Sequence, residues 1–140
     1  MSKVVKVKSG SKYEEMHSYS RVVAIGDLIF VSNTAGIDYT TRHISDDAGE
    51  QCAKALQNVE RALASVGATL ADVVKVTRHV PNRADNQKVA EVIGRTFKGI
   101  DPAGTHLATP LGSDIYKVEI EVIAYRGLKD MPEERLKIVV

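Results

Sequence analysis

The chain has 140 residues, 44% hydrophobic and 26% charged, with 19 Lys and Arg against 18 Asp and Glu and a net charge of +1. That size and composition suit one soluble globular domain, and the near-neutral balance lacks the electrostatic footprint of a nucleic-acid or anionic-membrane partner. The lone Cys52 excludes an intramolecular disulfide and, with no apolar stretch of signal-peptide or bilayer-spanning length, leads us to expect a cytoplasmic protein.

In chain order, Lys3 to Lys8 alternates valine and lysine, which predicts an edge strand with its lysines in water. Gly10 and Ser11 break it. Tyr19 to Ile25 and Leu28 to Thr34 are β-rich runs joined by Gly26-Asp27, the pair expected in a tight hairpin. His17, Tyr19 and Arg21 are spaced by two, so in an extended segment they share a face. There they form either a clamp for a small carboxylate, with Arg as a planar fork and Tyr as a donor, or a polar strand edge facing water. The same alternation predicts that Ser32 and Thr34 share a face and place hydroxyls near a cleft. Residues 36–45 read as a polar loop.

Cys52, Leu56, Val59, Leu63 and Val66 follow a 4-3-4-3 spacing and predict a helix with one apolar stripe. Asp47 and Glu50 resemble a capping box at its start, and Gly67 is a stop signal. Val73 to Val80 is a predicted strand whose Val74, Val76, Arg78 and Val80 share a face. Arg78 breaks that apolar line as an interface or snorkelling residue, or as a substitute carboxylate clamp. A second helix is predicted from Asp85 to Phe97, with Val89, Val92, Ile93 and Phe97 inward; Gly94 within it costs roughly 1 kcal/mol relative to Ala.

Pro102 to Arg126 reads as two strands around a turn. In the second, Val118, Ile120, Val122 and Ala124 alternate with Glu119, Glu121, Ile123 and Tyr125. The first set belongs in a core, which sends both glutamates to a solvent edge, an interface or a cleft. Residues 129–140 are charged and end in Ile-Val-Val, as an appended tail or an extra edge strand. The expected division is one domain over 1–128 and a C-terminal extension over 129–140. The order β-β-β-α-β-α-β-β predicts an α+β two-layer sandwich, one mixed sheet with two helices on one face. The other face stays partly apolar and needs a cover, for which self-association is the simplest.

The Pro102-Ala103 strand opening and the run Val118-Glu-Ile-Glu-Val-Ile-Ala124 resemble the C-terminal signature of the Rid, or YjgF, family. Tyr19, Gly26 to Ser32, Gln51, Asn58 and Gly67 match in order, so the resemblance spans roughly residues 17 to 126. It implies a chorismate-mutase-like subunit, a homotrimer around a central barrel, and small-molecule clefts between subunits in which reactive enamines or imines are hydrolysed. By the same resemblance Tyr19 is a pocket residue and Glu121 positions the water that attacks the C=N carbon, a sensible role for a carboxylate that can take and return a proton.

Deaminases of the family that act on 2-iminoacids carry an arginine after the Pro-Ala pair to grip the substrate carboxylate; this chain has Gly104. Such a contact is worth ~1.5–3 kcal/mol, so its loss predicts ~10- to 100-fold weaker binding of 2-iminopropanoate. Thr105 follows, then His106, which points to the same side as Gly104 where many relatives have a small residue or Cys. His106 is either structural or a ligand contact. Asn33 stands where relatives often have Gly, and Ala90 where many deaminating relatives have Asn.

The expected site therefore has Glu121 as the catalytic carboxylate and Tyr19, Arg21, Ser32, Thr34, Gly104, Thr105 and His106 around the substrate, with Arg21 or His106 replacing the clamp. The alternative is a non-catalytic trimer that binds a metabolite or partner protein. No cofactor or metal is expected: four His and one Cys lack zinc-ligand spacing, nucleotide and serine-hydrolase motifs are missing, and Cys52 sits on the apolar helix stripe as core.

Overall fold

Six strands with period-two patterning and two long amphipathic helices build the fold, and the computed structural model describes residues 3–140 of it. The strands are β1 (Val4–Val7), β2 (Val22–Ile25), β3 (Leu28–Ala35), β4 (Val73–His79), β5 (Ala103–Leu107) and β6 (Glu119–Tyr125). They form one mixed sheet in the order β1-β2-β3-β6-β4-β5, in which only β4 and β5 run parallel. Helices α1 (Lys12–His17), α2 (Ala48–Ala64) and α3 (Asn86–Thr96) complete the regular structure. The expected α+β sandwich stands: α2 and α3 bury their stripes against one sheet face.

Leu56, Val59 and Leu63 of α2 and Val89, Val92 and Ile93 of α3 share one core with Val22, Ile29, Val31, Val76, Ile120 and Val122. Burying such side chains contributes about 1.5–3 kcal/mol each. The Asp47 carboxylate caps α2 by accepting from the Glu50 N–H at 2.9 Å. Gly26 opens the two-residue β2–β3 turn at φ 58°, the left-handed conformation that glycine adopts without a Cβ clash.

Four local expectations are corrected. His17, Tyr19 and Arg21 do not lie on a strand: α1 ends at His17, Ser18 takes a left-handed φ of 57°, and β2 begins only at Val22. The quartet Ser11-Lys-Tyr-Glu14 is the start signal that alternation obscured. Ser32 and Thr34 do not share a face, because the β3–β6 register shifts between Val31 and Thr34; such a bulge re-aims side chains. Likewise a register shift between Val73 and Lys75 turns Val74 outward, away from Val76. Finally, β5 and β6 are not a hairpin: β4 lies between them, and residues 108–118 form a long crossing loop. The C-terminal residues after the short turn at Leu128–Asp130 form no strand and lie exposed.

Two buried amides on α2 hold the loops. Gln51 Nε2 donates to Ser45 O (2.7 Å) and Ile115 O (2.8 Å), and its Oε1 accepts from Lys117 N (2.9 Å). Asn58 Nδ2 donates to Ala35 O and Ile37 O at 3.0 and 2.9 Å. Main-chain groups that would otherwise be buried without partners are thereby satisfied. Gly36 is required by this packing, since a Cβ there would stand 2.0 Å from Gln51 O. Among the described residues no helix is long and apolar enough to cross a membrane.

Candidate functional site

The face of the sheet opposite α2 and α3 has no covering layer among the described residues, and β6 sends its glutamates there. Glu121 is opposite Thr77 in the ladder and Glu119 is opposite His79. A hollow of about 410 Å³ contains Glu121, Ser32, Thr77, Lys75, Phe30 and Ile123. His79 Nε2 lies 3.5 Å from Glu121 Oε1, and its Nδ1 lies 3.1 Å from Thr109 Oγ1. A carboxylate, an imidazole and a hydroxyl thus form one line of contacts across β6, β4 and the crossing loop. Ser32 Oγ donates to Ser20 O at 2.7 Å, so its hydrogen is engaged while its lone pairs stay open.

Further along the same face, a cavity of about 580 Å³ collects Tyr13, Tyr19, Tyr39 and Tyr116, four of the five tyrosines in the chain. Arg21, Asn33 and Glu119 also line it. His17 joins them there despite leaving the strand. Loops 36–45 and 108–118, held by Gln51 and Asn58, supply Tyr39 and Tyr116. The volume falls in the range of small-molecule sites.

Arg21 is largely engaged within the chain. Its guanidinium meets the buried Glu14 carboxylate at 3.4 Å, donates to Asn33 O at 2.9 Å and Thr34 Oγ1 at 3.3 Å, and lies 5.9 Å from the Tyr19 ring centre. Burial pushes the Glu14 carboxyl up, but hydrogen bonds from the Ser9 main chain and hydroxyl and the Arg21 charge outweigh it and hold the group below the usual carboxylate range. Thr34 is buried beneath this pair and donates to Ser32 O at 2.7 Å. Arg21 Nε and Asn33 Oδ1 are buried with no hydrogen-bond partner among the described residues.

Glu119 is the carboxylate that the sequence undervalued. Burial raises its pKa above the usual carboxylate range, opposed in part by His79 and Arg21. Perturbed carboxyls of this kind gather at functional sites. Its signal was the alternation itself, which placed it on Glu121's face without showing how deep that part of the face lies. His79 carried no pattern that sequence reasoning could use.

The remaining predicted residues lie at the β4–β5 edge. Gly104 pairs with Val76, Thr105 with Thr77, and His106 with Arg78. His106 accepts from Arg78 Nε at Nδ1 (3.4 Å) and donates from Nε2 to Asn86 Oδ1 (3.0 Å). Gly104 borders a separate small hollow on the helix side of the sheet. The chain therefore brings Tyr19 and Arg21 to one cavity, Ser32 and Glu121 to a second hollow, and Gly104 to a third. Among the described residues no three His, Cys, Asp or Glu side chains converge as a metal-binding group.

A mixed sheet with one helix-covered face and one open face bearing carboxylates and hydroxyls defines a subunit of the YjgF/Rid type. The chain belongs to that family: the family model described as Endoribonuclease L-PSP matches residues 10–126. It is similar to the crystal structure of a YjgF/YER057c/UK114 family member from Mycobacterium tuberculosis, at 37% identity and a TM-score of 0.80, covering 88% of this chain and 99% of that one. A RutC family protein of Pyrococcus abyssi is 34% identical over 110 residues, 77% of this chain and 86% of that protein. The chloroplastic Reactive Intermediate Deaminase A of Arabidopsis thaliana is 32% identical over 110 residues, 76% of this chain and 57% of that protein.

Proposed function

We propose that the protein hydrolyses a small imine or enamine and releases ammonia, in clefts that neighbouring copies of a cytoplasmic homotrimer complete. The observation that carries this reading is Glu121, exposed on the open face beside the Ser32 hydroxyl and 3.5 Å from His79. Half-exposed Ile25, Leu28, Phe30 and Tyr125 on that face suit burial against further copies. The division of the predicted residues among three hollows of one subunit suits sites shared between subunits. A relative named for reactive-intermediate deamination adds support. The net charge of +1 favours a small molecule over a polynucleotide, despite the ribonuclease in the family model's description.

In this mechanism an enamine first tautomerises to its imine. Glu121 takes a proton from water as the water oxygen bonds to the C=N carbon, and the imine nitrogen takes a proton from solvent. The carboxyl group then returns its proton to the amine of the carbinolamine, the C–N bond breaks as the hydroxyl releases its proton to solvent, and a carbonyl compound and ammonia leave. His79 holds the carboxylate, and the Ser32 lone pairs accept an N–H of the substrate. Tyr19 orients the ligand from the tyrosine cavity. Residues 1–128 suffice for this chemistry, with 129–140 as an appended segment.

Gly104 favours a second reading, a non-catalytic trimer that binds a metabolite or partner. The two separate in an ammonia-release assay on imines generated in situ by an amino-acid oxidase and on a 2-aminoacrylate-type enamine. Hydrolysis predicts release faster than in buffer at catalytic protein concentration. Ligand binding with no acceleration on any of these substrates sinks the enzymatic reading in favour of the second.

A further inference from the structure

Of the four tyrosines in the open-face cavity, Tyr19 alone belongs to the family resemblance; Tyr13 comes from α1, and Tyr39 and Tyr116 come from the two loops. Each loop tyrosine is held on both sides. Gln51 bonds Ile115 O (2.8 Å) and Lys117 N (2.9 Å), the neighbours of Tyr116. Asn58 bonds Ile37 O (2.9 Å), and Asp38 Oδ1 accepts from Thr40 N (2.9 Å) and Thr41 N (3.0 Å), so the main chain around Tyr39 is fixed in the same way. On α1, Tyr13 and His17 stand one turn apart with their rings parallel to 5° and 6.4 Å between centres. Tyr13 and Tyr39 nevertheless stay 44% and 41% exposed, so these rings do not fill the core. Rings held in place yet open to a cavity are preorganised for a ligand, because their ordering cost is met when the chain folds.

Size and charge narrow that ligand. A cavity of about 150 Å³ is enough for benzene, and this one measures about 580 Å³, so a three-carbon imine would leave most of it empty. Aromatic walls attract either cations or other rings. With Arg21 offset by Glu14, Arg42 and Glu119 balance one another on the lining, which leaves no surplus negative charge to hold a cation. Ala35, Ile37 and Ile115 supply apolar wall between the phenols. A neutral planar ring matches this lining, and the tyrosine hydroxyls and Glu119 can take its polar substituent.

We infer that the tyrosine cavity binds a neutral aromatic ring, and that the imine or enamine handled at Glu121 carries such a ring on a short linker. The second half rests on the proposed hydrolysis; the first does not. The two places lie on one face of β6: Glu119 lines the cavity, and Glu121 follows two residues on, roughly 7 Å along the strand. His79, opposite Glu119 in the ladder, touches Glu121. One ligand can therefore seat its ring among the tyrosines and present its C=N carbon to the water at Glu121.

The test is amide-resolved NMR titration of the full chain with p-cresol, its saturated analogue 4-methylcyclohexanol, and the cation benzyltrimethylammonium. p-Cresol is expected to give saturable shifts at Ala35, Ile37 and Gly112, with the other two probes at least ~5-fold weaker. Tyr39→Leu and Tyr116→Leu, which keep bulk and remove the ring, should each weaken p-cresol by ~3- to 10-fold, whereas Tyr39→Phe should stay close to the parent. Glu121→Gln should bind p-cresol as the parent does, so a failed hydrolysis assay leaves the binding result standing. Where ammonia is released, the imine of phenylalanine should exceed that of alanine by ~10-fold in kcat/KM, mainly through KM, and Tyr39→Leu should narrow the gap. Equal binding of 4-methylcyclohexanol, equal or tighter binding of the cation, unchanged affinity in both leucine variants, or no saturable shift would overturn the cavity assignment. Equal turnover of the two imines would overturn its link to the substrate.

Discussion

The two faces of the sheet come from the same alternating strands and do different work. On the helix-covered face Val22, Ile29, Val31, Ile120 and Val122 are at most 3% exposed. On the open face Ile25, Leu28, Phe30 and Tyr125 are 36–50% exposed, and Glu121, Ser32 and Thr77 stand among them. Strand β6 serves both, with Ile120 and Val122 inward and Glu119 and Glu121 outward. The lesson is that stability and chemistry are separable along one strand, residue by residue.

That separation can be broken or sharpened by substitution. The largest stability effect is expected at Ile120→Ala, which leaves a cavity in the core where α2 packs on β6 and should cost about 2–5 kcal/mol, read as a lower midpoint in chemical denaturation. Next, Glu14→Gln breaks the buried pair with Arg21 that anchors the bulge of β3, and about 3 kcal/mol is expected. Because the folded-state pKa of Glu14 is depressed, its contribution is present above the unfolded carboxylate value and is lost as pH falls through the folded one. The parent should therefore lose stability on acidification more steeply than Glu14→Gln, and parallel pH–stability curves would remove that pair from the acid response. The smallest effect on subunit stability is expected at Phe30→Glu, within about 1 kcal/mol. Sedimentation should instead show the proposed trimer reduced to monomer, and assembly unchanged by the substitution would contradict burial of the open face.

Much of the fold was legible because its signals are periodic and local. The α2 stripe from Cys52 to Leu63, the Asp47 cap, the Gly26-Asp27 turn and the two-face pattern of β6 all follow from spacing and turn chemistry. The bulges at Ser32-Asn33 and Val74 were not legible, since one extra residue flips a face without changing composition. The pairing of β5 with β4 instead of β6 depends on the parallel β4–α3–β5 crossover, a long-range choice that strand patterning does not encode. The same limit holds for the site: the sequence marked Glu121, Tyr19 and the vacancy at Gly104. The contact of His79 with Glu121 and the bond of Arg78 to His106 arise only when β4 is inserted between β5 and β6.

The most direct measurement is the ammonia-release rate of Glu121→Gln on a substrate that the parent protein hydrolyses, with thermal stability measured in parallel. A loss of ~100-fold or more, as for removal of a general base, with unchanged stability and assembly is the predicted result. Turnover at the parent's rate in that variant would contradict the role of the open-face carboxylate.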